Sequence, residues 1–216
     1  MTPSQHEPRR ERLLAAAVRS IAMHGYEGVR LRDVAGQCGV TTGMLQYYFP
    51  TRDELLHAAF ESAALDQVER WRHAIALEPD PARRLQLLLD QMSEEFFSAN
   101  TCAVWTELCA SAGRYSQLRP LVVHVFSEWR TILGAAVSEA LQTKAIGICM
   151  LGTETAVDVM IAAFDGYELD LASGAAVATP ESAAAGIRGL AAVLFPQRRC
   201  ISHGESSSEL RACTRC

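Results

Sequence analysis

The chain has 216 residues, 49% of them hydrophobic and 21% charged, with a formal net charge of −5. It is long enough to bury a core and too ordinary in charge for a disordered chain. Its longest charge-free apolar stretch near the middle, Ala145 to Leu151, is far short of the ~20 residues a membrane-spanning helix needs. The polar, arginine-rich start has no apolar run resembling a secretory signal, so the expectation is a cytoplasmic protein with no membrane partner.

In chain order, nearly every segment carries helical spacing. Leu14, Val18 and Ile21, with Leu13 and Ala17 beside them, predict an amphipathic helix over roughly 9–24, which Gly25 should end as a left-handed cap residue. Val34, Ala35 and Cys38 form a second apolar set, stopped by Gly39. A third helix begins near Thr41 and runs to Phe49, where Pro50 stops it. Thr51-Arg-Asp-Glu54 reads as a capping box. The threonine hydroxyl accepts from the Glu54 amide while the Glu54 carboxylate reaches back to the Thr51 amide. Behind it Leu56, Phe60 and Ala63 keep helical spacing to about Ile75, and Glu78-Pro-Asp-Pro81 marks an interdomain or interhelix break.

Leu85, Leu88, Leu89, Met92 and Phe96 predict the next helix, Val104 to Ala112 a shorter one, and Val122 to Ala140 a long one after Pro120. Val157, Met160, Ile161, Phe164, Glu168 and Leu171 predict a penultimate helix, and 181–195 a last one rich in alanine and glycine. No stretch alternates with period two for long enough to make a strand. The fold class is all-α, with about nine helices. From Gln197 to Cys216 apolar periodicity is lost, and this tail reads as disordered.

Charge is spread unevenly. Residues 1–32 hold six arginines against three glutamates, while the remainder holds 14 basic and 22 acidic residues. A basic head on an acidic body is compatible with a nucleic-acid partner despite the negative sum. Within that head, Leu31–Phe49 meets the demands of a helix-turn-helix. Ala35 supplies the small side chain where two helices cross, and Gly39 tolerates the positive φ of the turn. Val34, Cys38, Val40, Leu45 and the ring of Tyr48 supply the apolar inward positions. The outward face of the third helix is then Thr41, Thr42, Gly43, Gln46 and Tyr47. Gly43 lets backbone and DNA approach closely, Gln46 suits a base edge, and Tyr47 suits a phosphate or a thymine methyl.

Four pieces of this segment resemble a known family: Arg32-Asp-Val-Ala35, Gly39-Val-Thr-Thr-Gly43, Tyr48-Phe49 and Thr51-Arg-Asp-Glu-Leu-Leu56. Over roughly Arg10 to Ala63 the chain is similar to the N-terminal domain of the TetR family of bacterial transcriptional regulators. The resemblance implies a helix-turn-helix domain over 1–50, a linking helix over 51–75 and an effector-binding and dimerisation domain over 51–196. It implies a homodimer, formed by the last two long helices, on a palindromic double-stranded DNA operator. The function implied is that of a repressor released by a small-molecule effector. Arg32, Thr41, Thr42, Gly43, Tyr47 and Arg52 fall at positions that commonly touch DNA in the family, with Arg52 where a lysine is more usual. The chain departs from the pattern in two respects. Val29-Arg30-Leu31 offers no hydroxyl to cap the second helix, and Gln46 replaces a frequent tyrosine, as in the branch that includes choline-responsive regulators.

In the body, the large side chains Met92, Phe96, Trp105, Phe126, Trp129, Met160, Phe164 and Tyr167 are the candidate effector pocket, with plain core as the alternative for each. Glu107, Glu128, Asp158 and Asp165 could pair with a cationic effector, or serve as solvated or salt-bridged residues. The small residues of 181–195 suit close helix packing against a partner copy. Cys102 and Cys109, seven apart on one helix face, suggest a redox sensor, and Cys200, His203, Cys213 and Cys216 a zinc site. The plainer reading is reduced thiols, no metal and no cofactor. No catalytic constellation stands out, so the expectation is not an enzyme. The rival readings are a helical small-molecule- or partner-binding protein without a specific operator, and an all-α enzyme with a cysteine nucleophile.

Overall fold

The computed structural model describes residues 6–147, 150–175 and 177–197. Among these residues the chain forms nine α-helices and one short 3-10 turn, and no strand beyond an isolated bridge between Ile146 and Gln197. The expected tail beyond Gln197, with its cysteines and histidine, and Cys149 lie outside the described residues.

Helix α1 (His6–Gly28) buries Leu13, Leu14, Ala17 and Ile21 on one face, as the spacing requires. Gly25 interrupts it with φ 67° and ψ 171°, a conformation nearly closed to residues with a Cβ. The chain then makes one more turn before α2 (Leu31–Gln37) and α3 (Thr42–Tyr48). Gly39 links these two with φ +66°, and the Thr41 hydroxyl caps α3 by accepting from the Met44 amide at 3.2 Å. Helix α4 (Arg52–Ala76) starts on the Thr51 hydroxyl, which accepts from the Glu54 amide at 3.2 Å. The return bond from the Glu54 carboxylate is not formed, so half of the expected capping box is present. The complete box lies at α9 (Pro180–Leu194), between Thr179 and Ser182.

The break at Glu78-Pro-Asp-Pro81 separates two helices that pack on each other, α4 and α5 (Pro81–Phe96). Asp80 caps α5 with Pro81 in its first turn. Helices α6 (Ala99–Arg114), α7 (Arg119–Gln142), α8 (Thr153–Ser173) and α9 complete the body. Helix α1 packs on α4 and α6 and also on α2, and α2 packs on α3. A chain of rings runs through the centre of the body. Phe96 meets Trp71, Trp129 and Phe164 at centroid distances of 5.1, 4.7 and 5.1 Å, and all four residues are buried. The last two helices approach closely at Gly186, where a Cβ would come within 2.0 Å of the Tyr167 hydroxyl.

One buried group is out of keeping with this core. Glu168 of α8 is 0% exposed, and neither of its carboxyl oxygens has a hydrogen-bond partner. Burial, with the nearby Asp165 adding to it, pushes its pKa from the ordinary 4.5 up to about 10. The unfolded carboxyl ionises near 4.5 and the folded one resists ionisation to about 10. Glu168 therefore favours folding less and less as pH climbs between those values, by at most about 1.4 kcal/mol per unit. Glu168→Gln is expected to gain stability relative to the parent chain as pH rises from 5 to 9, read by urea melts. Parallel pH profiles for the two proteins would contradict this assignment.

Candidate DNA interface and effector cavity

The paired helices α2 and α3 are held from beneath. Val34, Ala35 and Leu45 are fully buried, and Cys38, Val40 and Tyr48 pack half-buried around them. This leaves Thr41, Gly43, Gln46 and Tyr47 exposed and Thr42 half-exposed, so the expected outward face exists as one surface. Tyr47 stands 75% exposed, its ring edge-on to that of Tyr48 at 5.4 Å. A Cβ built on Gly43 would meet nothing within 4 Å. The fold itself therefore places no demand for glycine there, although glycine inside a helix costs ~1 kcal/mol against alanine. Arg32 is exposed beside Asp33. At the start of α2, Arg30 is the N-cap and makes no side-chain cap bond, as the missing hydroxyl implied.

Arg52 has a second occupation. Its Nε donates to the Val29 carbonyl at 2.8 Å and its Nη2 to the Tyr26 carbonyl, while Nη1 pairs with Asp53 at 3.0 Å. The guanidinium also lies over the Tyr26 ring, 4.8 Å from its centroid. The Tyr26 amide in turn donates to Glu107 of α6 at 2.9 Å, and the Tyr26 ring packs on Tyr115 at 5.0 Å. Tyr115 and Arg114 both reach Glu27. The turn after Gly25 is thus bonded to the start of α4 on one side and to the end of α6 on the other. Sequence reasoning did not single out Tyr26. Its partners lie 26 and 81 residues away, and no local pattern marks such a contact.

A cavity of about 100 Å³ opens where α1, α4, α5, α6 and α7 meet. Of the expected pocket residues, Phe96, Trp105 and Trp129 are in its wall, together with Phe60, Gln67 and Arg70 of α4. Met92, Met160 and Phe164 are packed into the core with no exposure. Phe126 closes on Trp105 and Trp129 under the Arg130 guanidinium, and Tyr167 sits between Phe97 and Gly186. The four acidic residues are engaged elsewhere. Glu107 accepts from Tyr26, Glu128 pairs with Arg72, Asp158 pairs with Arg130 at 2.6 Å, and Asp165 accepts from the Trp105 indole at 3.2 Å. Burial raises the Asp165 pKa to about 6.

Cys102 donates its thiol to the Phe96 carbonyl at 2.9 Å. Burial pushes the Cys102 thiol up to about 12, the reverse of the lowered pKa that an oxidation sensor or a cysteine nucleophile needs, while Cys109 lies exposed. Among the described residues, no group of three or more His, Cys, Asp or Glu is placed to hold a metal ion, and no helix is long and apolar enough to cross a membrane.

Residues 13–59 match the pattern of the bacterial regulatory proteins of the tetR family. The HTH-type transcriptional regulator CymR of Pseudomonas putida is 34% identical over 136 residues, 60% of this chain and 66% of the relative. The aligned stretch spans 53% of another relative, PksA of Bacillus subtilis, at 31% identity over half of this chain. The chain thus spans between about half and two thirds of the length of these curated relatives. Among solved structures, a TetR-family transcriptional regulator from Rhodococcus sp. superposes with a TM-score of 0.73 at 26% identity, covering 87% of this chain and 98% of that one. The α2–α3 pair, the nine-helix architecture and these likenesses agree, and the chain belongs to the TetR family of bacterial regulatory proteins.

Proposed function

We propose that the chain is a ligand-responsive DNA-binding transcriptional regulator, most simply a repressor, acting in the cytoplasm as a homodimer on a palindromic operator. The observation that carries this reading is the exposed face of α3 on a firmly buried underside. Residues 1–50 supply the DNA interface and 51–196 the effector and dimer region. Thr41, Thr42, Gly43, Gln46 and Tyr47 face the major groove, with Arg32 and Arg52 beside the phosphates. Two such units in a dimer read half-sites about one helical turn apart. An uncharged stripe on α8, with Val159, Ala162, Gly166 and Leu169 all exposed, and Val193 on α9 supply the apolar surface for the partner copy.

The position of the cavity supports a mechanism. Its walls include α1, α4 and α6, and these three helices also converge on the Gly25–Val29 turn. At about 100 Å³ the cavity is too small for most effectors as it stands. A ligand that widens it parts α4 from α6 and strains the bonds of Glu107 and Arg52 to the turn. The two α3 helices of a dimer then change separation, and the population shifts away from the DNA-competent form.

Tyr47→Ala is expected to abolish operator binding and leave the melting temperature near that of the parent chain, since the ring is largely in solvent. Retained affinity for the upstream intergenic DNA, measured by fluorescence anisotropy against competitor DNA, would sink the role of Tyr47. For Gly43→Ala the two readouts should move in opposite directions. The fold gains up to about 1 kcal/mol from helix propensity, and operator affinity falls because a methyl group stands between backbone and DNA. A variant that is more stable and binds equally well would remove Gly43 from the interface.

A further inference from the structure

The cavity at the meeting of α1, α4, α5, α6 and α7 has a chemistry that selects among ligands. Its wall is mainly apolar and carries the rings of Phe60, Phe96, Trp105 and Trp129, and its volume is about 100 Å³. An apolar cavity of ~150 Å³ holds a single benzene ring. One ring therefore fits here with a small outward movement of the walls, and a long acyl chain does not.

The polar groups of the wall are unequal in sign. Among the described residues Arg70, with a side chain 57% exposed, is the only charged one in the wall, and no carboxylate lines the cavity. The Arg70 guanidinium grips Glu95 in a two-bond fork, Nη2 to Oε2 at 2.8 Å and Nε to Oε1 at 3.2 Å. That pair is exposed on the arginine side, so another carboxylate can take the place of Glu95 at little cost. Trp129, also in the wall, is 1% exposed, and its indole Nε1 is buried with no partner. A buried donor left unpaired is a standing cost that an incoming acceptor relieves. The Trp105 indole makes no such offer, because Asp165 already accepts from it.

Building on the reading of the chain as a ligand-responsive regulator, we propose that this cavity binds a compact aromatic monocarboxylate bearing a hydrogen-bond acceptor at the end remote from the carboxylate. The ring lies between Phe60, Phe96 and Trp105. Arg70 exchanges Glu95 for the ligand carboxylate at the mouth, and the Trp129 N–H meets the remote acceptor inside. An organic cation suits the aromatic wall but not its charge, since it would face Arg70 and a bare N–H donor.

The test titrates the free full-length protein with 4-hydroxybenzoate, benzoate, benzamide and benzyltrimethylammonium, read by tryptophan fluorescence and checked by thermal shift. The expected order is 4-hydroxybenzoate tighter than benzoate, benzoate tighter than benzamide, and no binding of the cation. Arg70→Gln should weaken both carboxylates by roughly tenfold and leave benzamide unchanged. Glu95→Gln should tighten them several-fold by freeing the guanidinium, and Trp129→Phe should erase the advantage of the hydroxyl group. Preferred binding of the cation, carboxylate affinity indifferent to Arg70→Gln, or no binding of any ring ligand would each overturn the proposal. Operator binding is measured separately without ligand, so failure here with intact operator affinity strikes the ligand class alone. Loss of operator affinity strikes the regulator reading instead.

Discussion

Backbone that leaves a helix must find partners for its amides and carbonyls elsewhere. Between Gly25 and Val29 that requirement is met by two distant side chains, Glu107 for the Tyr26 amide and Arg52 for the carbonyls of Tyr26 and Val29. The kink itself depends on the absence of a side chain at Gly25, and the Glu107 carboxylate fills the space beside it at 3.4 Å from where a Cβ would stand. The orientation of α2 and α3 follows from this turn, because they leave α1 through it and return to the body through α4. A charged residue from the body thus sits at one of the two joints that aim the exposed face of α3.

The electrostatics of the chain divide along the same joint. The arginines of residues 1–32 lie on α1, at the N-cap of α2 and on α2, and two of them are engaged by neighbours. Arg10 lies over the Phe49 ring, 5.3 Å from its centroid, and Arg32 lies by Asp33. In the body, arginines tie one helix to another: Arg70 to Glu95, Arg72 to Glu128, Arg84 to Glu139, Arg130 to Asp158. Most of these are partly exposed pairs that contribute little to stability individually and serve rather to set which helices meet. Glu168 differs from all of these, being fully buried with no hydrogen-bond partner for its carboxyl oxygens and with its pKa raised by burial and by the nearby Asp165.

Much of the fold was legible because helices report themselves locally. The 3.6-residue spacing, the stops at Gly39 and Pro50 and the caps at Thr41 and Thr51 all lie within a few residues of what they control. The outward face of α3 was legible for the same reason, since seven residues of helix with a fixed underside leave little choice about which side chains face away. The body was harder to read. Aromatic residues at helical spacing look alike whether they line a space or fill one, and only packing separates Phe96, Trp105 and Trp129 from Met160 and Phe164. Arg70 and Gln67 entered the cavity wall from a helix whose sequence marks only its apolar face. The Tyr26 hub, built from residues 26 and 81 positions apart, had no local signature.

The contact between Tyr167 and Gly186 has a consequence for how such a chain varies. The phenol oxygen occupies the space that any side chain at position 186 would need, a tooth seated in a notch between α8 and α9. Moving α9 along α8 by one helical turn would bring other residues of the same face, such as Ala183 or Leu190, against the tooth, so the pair favours one register of the two helices. The two positions are also bound to drift together. A larger residue at 186 becomes tolerable only after the tyrosine has shortened, and homologues that keep a tyrosine at 167 are therefore constrained to keep glycine opposite it.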